Sequence, residues 1–519
     1  MKSYPLRILM LYLTAALLAA CGGGGGGKLG NPGGGGNDWE PGVFLDADTF
    51  FNQCQSPVGT DPFTNQAYGA GSTLDENNFL RSFSNDTYLW YDEVPDQDPG
   101  LFNNTLDYFA ELRTSGLSPS GAAKDKFHFT YTTDEWFDLS QGGVSAGYGI
   151  DWAFISAVPP RDIRIAYTEP NSPAASAGLT RGDRVLSING FDIDTNSQTG
   201  IDVLNAAFYP DGLGETYDFV FTSGAVTLTS EQITNAMVQN TDVIDLPGGG
   251  RVGYLTFNYH RAPAEEELFN AIEFLDGQGI DDLVLDIRYN GGGFLDIAAQ
   301  LAYMIAGPVP TAGRTFESLQ FNDKHPITNP ITGNPITPTP FHDETLGFSL
   351  APGQALPSLE LPRVFVLTGG GTCSASEAVM NGLRGVGVEV IQIGSRTCGK
   401  PYGFYPQGNC GTHYFTIQFR GVNEASFGDY TDGFYPGDAG SADLAEVPGC
   451  SVADDFTKQL GDPTEGQLAM ALAYRETGAC PAPATAAAES GLSKADTPLS
   501  STDGVVHRSP WDSNRIMLR

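Results

Sequence analysis

The sequence predicts a multidomain α/β protein with a helical N-terminal cap, a small β-rich domain and an α/β core. Three observations predict it. From about residue 250, buried strand-like runs alternate with amphipathic helical runs, the pattern of a parallel or mixed sheet. Between 147 and 224, short β runs are separated by turn residues. Before them, aromatic residues recur at helical spacing. At 519 residues the chain also exceeds a single ordinary core.

The first twenty residues read as a targeting segment. Lys2 and Arg7 precede an apolar run, Ile8 to Ala20, too short to span a bilayer by itself. Leu18-Ala19-Ala20-Cys21 and the glycines after it resemble a bacterial lipobox. That resemblance implies cleavage before Cys21, lipidation of Cys21, and an outer-membrane anchor facing the periplasm. Residues 21–42 are then a Gly-rich flexible tether. Its GGGGGGKL is no phosphate loop, since Leu29 stands where a hydroxyl is needed and no strand precedes it. The net charge of −35 excludes nucleic acid as a partner, because phosphate binding needs a basic surface. Beyond Cys21 remain cysteines 54, 373, 398, 410, 450 and 480, an even set that suggests disulfides in an exported protein. Their pairing is not readable from sequence.

Residues 43–140 form the cap. LDENNFLRSFSNDTYLWYDEV places Phe79, Phe83 and Tyr88, with Leu80 and Trp90, on one helical stripe, and a second helix is expected around Leu106 to Arg113. GVSAG at 143–147 matches a nucleophile elbow, which would make Ser145 the nucleophile of an esterase. An elbow needs a helix after the serine, and here a strand-like run follows instead.

Residues 143–232 form the β-rich domain. YGIDWAF and RIAYTEP read as strands. A short helix, a turn at Arg181-Gly182-Asp183 and a strand ending at Asn189-Gly190 follow. The run SPA, AGL, GD and ING resembles a PDZ domain of bacterial processing proteases. The resemblance implies that Gly147, Tyr148, Gly149 and Ile150 bind the C-terminal carboxylate of a peptide added as an extra strand.

Residues 245–480 form the core. RVGYLTFNYH, DDLVLDIRYN and LPRVFVLTGGG are its strands. PAEEELFNAIEFLDGQG and LDIAAQLAYMIAG are its helices. Residues 313–360, rich in Pro, Asn and Thr, read as a long loop insertion, and residues 483–519 as a disordered tail. In GTCSASEAVMNGLRG (371–385) a glycine-rich turn becomes a helix at Ser374. A helix N-terminus favours the negative charge that develops there, and serine is equally a common N-cap. A serine hydroxyl needs a base, and Lys400 follows in GSRTCGKPYGF. A lysine serves as base when burial penalises its charged form.

These segments, with DIRYNGGG at 286–293, resemble the S41 family of C-terminal processing (tail-specific) serine peptidases. The resemblance implies a ClpP/crotonase-like core, a nucleophile at Ser374, and a general base at Lys400. Ser376 and Glu377 would support them from within the helix. An oxyanion hole would come from the N–H groups of Ala375 and of Gly292 or Gly293. It implies protein or peptide substrates with free C-termini, and no metal or other cofactor. Phe404 stands where some members carry an orienting glutamine. Gln407 is the candidate substitute, although strand alternation would put 404 and 407 on opposite faces. The missing glutamine keeps a rival open, a catalytically inactive PDZ-bearing scaffold. Cys373 and Cys398 flank Ser374 and Lys400, and would come within disulfide range if those two meet. His342-Asp343 and His413 read as solvated surface.

Overall fold

The computed structural model describes residues 39–481, apart from 143, 211 and 438–442, together with 515–516. The signal segment, Cys21 and most of the tether lie outside the described residues, as does most of the tail. Among the described residues no helix is long and apolar enough to cross a membrane.

The core is a seven-stranded mixed sheet. Its spatial order is Val238–Asp245, Arg251–Phe257, Asp282–Asp286, Arg363–Thr368, Glu389–Gly394, Glu446–Ser451 and Tyr435–Gly437. The first strand is antiparallel to its neighbour, and the other pairs are parallel. Alternation along each strand feeds two apolar layers. Leu283, Leu285, Val364 and Val366 face the helices Ala264–Gln278, Leu295–Ala306 and Ala375–Gly385. Val284, Phe365, Leu367 and Ile393 face Leu468 and Ala471 on the helix Gly466–Thr477. Both sheet faces are covered, which is why these strands read as continuous apolar runs rather than alternating ones.

In the cap, Ser72 accepts from Asp75 N and starts the helix Thr73–Thr87. Its Phe79, Leu80 and Phe83 pack on Tyr108 and Phe109 of the helix Thr105–Glu111, and on Tyr414 of the core. The expected stripe is divided. The helix stops at Thr87, so Tyr88 and Trp90 leave its face and join the main core beside Phe127. The cap also interlocks with the core: Phe129–Thr132 pairs with Thr412–Phe415, and Cys54 is bonded to Cys410.

The β-rich segment has the expected strands Ile150–Ser156, Asp162–Thr168 and Val185–Ile188, and adds a helix, Gln198–Phe208. Among the described strands, Ile150–Ser156 pairs only with Asp162–Thr168. Phe208 and Tyr209 pack on its Trp152 and Phe154. Arg181, in the expected turn, is driven into the core. It donates to Lys458 O, Ala166 O, Asp454 Oδ1 and Tyr289 Oη.

Glu169 closes the same junction. It is buried, accepts from Ala236 N through Oε2, and among the described residues its Oε1 has no partner. Burial pushes its carboxyl from 4.5 up to about 7. A raised carboxyl titrates with folding, so stability is fullest below about 4.5 and declines as pH rises toward 7. Glu169→Gln is expected to flatten that dependence. Above pH 7 it should exceed wild type by about 1–3 kcal/mol, since one pKa unit is about 1.4 kcal/mol. Urea unfolding of both proteins at pH 5 and pH 8.5 checks this, and parallel behaviour at both pH values would refute it.

Three expectations are corrected. The 313–360 insertion is not structureless: Thr315–Phe321 forms a strand on Phe419–Val422, and its own alternating residues were masked by the Pro-rich sequence around them. Two residues of the tail, Arg515–Ile516, pair in parallel with Gly293–Phe294. Such pairing needs only main-chain groups at a sheet edge, which no side-chain pattern announces. Nor are the histidines surface groups. His342 Nε2 lies 2.9 Å from Asp296 Oδ1, and His413 is buried with Nδ1 3.0 Å from Thr133 Oγ1.

Candidate active site

Three adjacent parallel strands end at one place. Asp282–Asp286 leads to the turn 287–293, Arg363–Thr368 to Ser374, and Glu389–Gly394 to Lys400. Open α/β sheets bind ligands beyond such strand ends.

Ser374 sits on a strand-to-helix turn, immediately before the helix Ala375–Gly385. Its φ of 60° and ψ of −114° are a conformation that side-chain-bearing residues rarely adopt. Strained backbone of this kind persists only where the surroundings hold it, and it concentrates at functional sites. Here Cys373 N donates to Asn290 O, and the Ser376 hydroxyl donates to the same carbonyl. Thr372 Oγ1 donates to Ile287 O. By contrast, Ser145 lies in a strand, Val144–Gly147 paired with Glu231–Thr234, and accepts from Asn235 Nδ2. GVSAG is therefore no elbow, because no helix follows it.

Glu377 joins the Ser374 turn to the lysine loop. It is fully buried. Its Oε2 accepts from Ser374 N at 2.9 Å and from Lys400 N at 2.8 Å. Its Oε1 accepts from Thr397 Oγ1 at 2.6 Å and from Gly399 N at 2.8 Å. Burial pushes this carboxyl above its usual range, while the converging donors pull it back. Cys373 and Cys398 are disulfide-bonded with Cα atoms 5.1 Å apart, so the two loops are also covalently tied. Cys450 pairs with Cys480.

Lys400 is fully buried. Its Nζ lies 4.5 Å from the ring centroids of both Phe127 and Phe404. Phe404 thus occupies the place beside the lysine, but as an apolar wall. Gln407 donates to Gly408 O and lines a different pocket with Phe44, Phe79 and Ile331. The alternation argument for 404 and 407 does not apply, since Tyr402–Gly403 and Gln407–Asn409 belong to two different sheets.

The two candidate oxyanion glycines differ. Gly292 N donates to Asn290 Oδ1, whereas Gly293, with φ 135°, lines up beside His260 at the start of a strand. A Cβ on Gly293 would sit 2.2 Å from His260 O, so the position requires glycine. Asn290 also donates to Phe257 O and accepts from His260 Nδ1. Burial lowers His260 to about 3, keeping it neutral near pH 7.

At the PDZ-type loop, Gly149 has φ 71° and a Cβ there would strike Ser172. Tyr148 turns its ring into that domain's core against Phe219, while Gly147 and Ile150 pair with Glu231 and Thr168.

Among the described residues, Cys373, Glu377 and Cys398 bring potential metal-ligand atoms within 4.8 Å. The sulfurs are bonded to each other and the carboxylate already holds four donors, so this trio is a tie rather than a metal centre. Sequence reasoning missed Phe127, which reaches Lys400 from the cap across a large sequence separation, and Asn290. Asn290's only signal was its place in DIRYNGGG.

Glu377→Gln replaces one acceptor with an amide donor facing N–H and O–H donors. It is expected to lower kcat about 100-fold with KM nearly unchanged, because displacing reacting groups by about 1 Å costs that much. Steady-state kinetics with circular dichroism checks this, and an unchanged kcat would rule it out.

The architecture is thus an α/β core preceded by a β-rich domain of PDZ type. Residues 251–403 match peptidase family S41, residues 75–131 the peptidase S41 N-terminal domain, and residues 164–206 a PDZ domain. Over these segments the chain is similar to peptidase family S41 and to that family's N-terminal domain. It is 28% identical over 268 residues to the carboxyl-terminal-processing protease of Picosynechococcus, covering 50% of this chain and 56% of that protein. It is 30% identical over 175 residues to carboxyl-terminal-processing peptidase 2 of Arabidopsis thaliana, covering 31% of this chain and 32% of that protein. The match thus spans about half, or less, of these relatives' length. A crystal structure of an S41 protease assignment from Bacteroides fragilis superimposes with a TM-score of 0.57 at 22% identity, over 77% of this chain and 97% of that one, which shows a shared fold.

Proposed function

We propose that this protein is a serine endopeptidase using a Ser374–Lys400 dyad on protein substrates engaged through their C-termini. The observation that carries the reading is the single Glu377 oxygen that accepts from both Ser374 N and Lys400 N. In this reading Lys400 Nζ takes the Ser374 Oγ proton as Oγ attacks the scissile carbonyl. A lysine withdrawn from water favours its neutral, proton-accepting form. The N–H groups of Ala375 and Gly293 hold the oxyanion, since Gly292 N is engaged by Asn290. Lys400 then protonates the leaving amine, and water, deprotonated by the same lysine, clears the acyl-enzyme. The edge of Ile150–Ser156 beside Phe208 and Tyr209 receives the substrate's tail as an added strand. The pairing of Arg515–Ile516 with Gly293–Phe294 supports the same mode at the cleft, where an extended segment lies along the glycine strand.

Export through a lipid anchor on Cys21, facing the periplasm, is part of the proposal. Three disulfides fit an oxidising compartment. The test incubates the mature protein with an unstructured protein ending in an apolar tail, and in parallel with a fluorophosphonate. Cleavage, with the label mapped to Ser374, is the expected result. Tail binding without cleavage or label would replace this reading with a PDZ-bearing binding module, the alternative that Phe404 favours.

A further inference from the structure

The disulfide beside the dyad joins two cysteines of the main apolar core. Cys373 immediately precedes the nucleophile, and Cys398 lies two residues before the lysine. The bond therefore closes a ring around the helix Ala375–Gly385 and the strand Glu389–Gly394, with the two catalytic loops as its ends. Non-covalent ties between those loops include Cys398 N to Thr372 O and the donors that converge on Glu377, with Thr368 and Ser395 bonded at the strand ends. Ser374 must hold its φ of 60° against this framework.

The two cysteines differ in exposure. Cys373 is fully buried, whereas Cys398 is 8% exposed and lines a pocket of about 480 Å³. Lys126 and Arg396 line the same pocket with Asp432, and Lys124 there is paired with Glu93, in a chain of net charge −35. Lys126 Nζ also donates to Cys398 O. Cations around a disulfide attract an attacking thiolate.

We infer that Cys373–Cys398 is a redox-controlled clamp on the dyad: oxidised it holds the active geometry, and a dithiol reductant entering through the Lys124–Arg396 pocket switches the site off. This rests on the peptidase reading. The reductant's thiolate attacks Cys398 Sγ, forming a mixed disulfide and expelling Cys373 as a thiolate that takes up a proton. The reductant's second thiolate attacks its own sulfur in that mixed disulfide and expels the Cys398 thiolate, which is protonated. The protein ends with two thiols and the reductant with an internal disulfide. Glu377 Oε2, 3.5 Å from Cys398 Sγ, disfavours a lasting thiolate there. The freed ends then let the Ser374 turn relax away from Lys400.

The test titrates the mature protein with dithiothreitol. Each step is read by non-reducing peptide mapping, by kcat and KM, and by hydrogen exchange of peptides covering 370–378 and 396–402. As the 373–398 bond opens, kcat should fall at least tenfold with KM within about twofold, and exchange in both peptides should rise. Reoxidation should restore all three. A Cys373→Ala/Cys398→Ala variant should match the reduced wild type and ignore reductant, while a Cys450→Ala/Cys480→Ala variant keeps the response. Unchanged kcat and exchange with the bond mapped open, or a rise in kcat, would overturn the clamp. If the oxidised protein is itself inactive, the peptidase reading fails, while the exchange result still judges the clamp.

Discussion

Ser374→Ala and Lys400→Ala are each expected to lower kcat by roughly 10⁴-fold or more, leaving only what binding and the oxyanion donors supply. The double variant should be little worse than either single one, because nucleophile and base act as a unit. Neither change should unfold the protein. Ser374 lies between backbone anchors set by Asn290 and Glu377, and the alanine keeps both. Lys400→Ala leaves space between Phe127 and Phe404, so some loss of melting temperature is expected, without loss of the disulfide. Lys400→Arg should not rescue, since guanidinium does not give up a proton near neutral pH. Initial rates on a peptide substrate, with thermal melts of each variant, test the set. A Lys400→Ala variant that retains activity would remove the dyad.

Arg288→Met is expected to destabilise the fold by about 3–5 kcal/mol, the usual consequence of stranding buried carboxylates. Arg288 is buried and donates to Asp286 Oδ1, Asp454 Oδ1 and both oxygens of Glu465. Asp286 keeps the Tyr254 hydroxyl at 2.6 Å, and Asp454 keeps Arg181 and Tyr289, but among the described residues Glu465 loses its cationic contact and retains its N-cap bond to Leu468 N. Burial pushes the Asp454 carboxyl up, yet Arg288 and Arg181 outweigh it and hold it below the ordinary 3.8. A depressed carboxyl stabilises above its unfolded value and loses that contribution as pH falls. The gap between wild type and Arg288→Met is therefore widest near pH 7 and narrows below 3.8. Urea unfolding at pH 7 and pH 3.5 measures both, and a loss under 1 kcal/mol at pH 7 would contradict the argument. Arg288 also anchors the turn that ends in Gly293, so activity should fall as well.

The order of parts was legible because each depends on local pattern. Apolar runs longer than one face announced strands buried on both sides, and they lie where expected. The strand-turn-helix context that distinguishes Ser374 from Ser145 was likewise readable, because an elbow is a local conformation. The missed strand Thr315–Phe321 and the half-buried His342 share a cause. Local composition is polar and Pro-rich there, and only distant partners, Phe419–Val422 and Asp296, make the burial worthwhile. Gln407 failed as a neighbour of Lys400 because the chain changes sheets between Gly403 and Gln407, a break that assumed alternation cannot register.

The sequence by itself determined the three-part architecture, the family resemblance and the candidate pair Ser374 and Lys400. Those rest on short-range periodicity, turn chemistry and motif order, which neighbouring residues carry. Only the tertiary structure decided which cysteines pair, that Phe127 and Phe404 enclose the lysine, and that one oxygen of Glu377 binds both the Ser374 and the Lys400 loop. It also separated Gly293 from Gly292, through Asn290. These are contacts between segments far apart in the chain, set by how sheet and helices pack, and no local spacing encodes them.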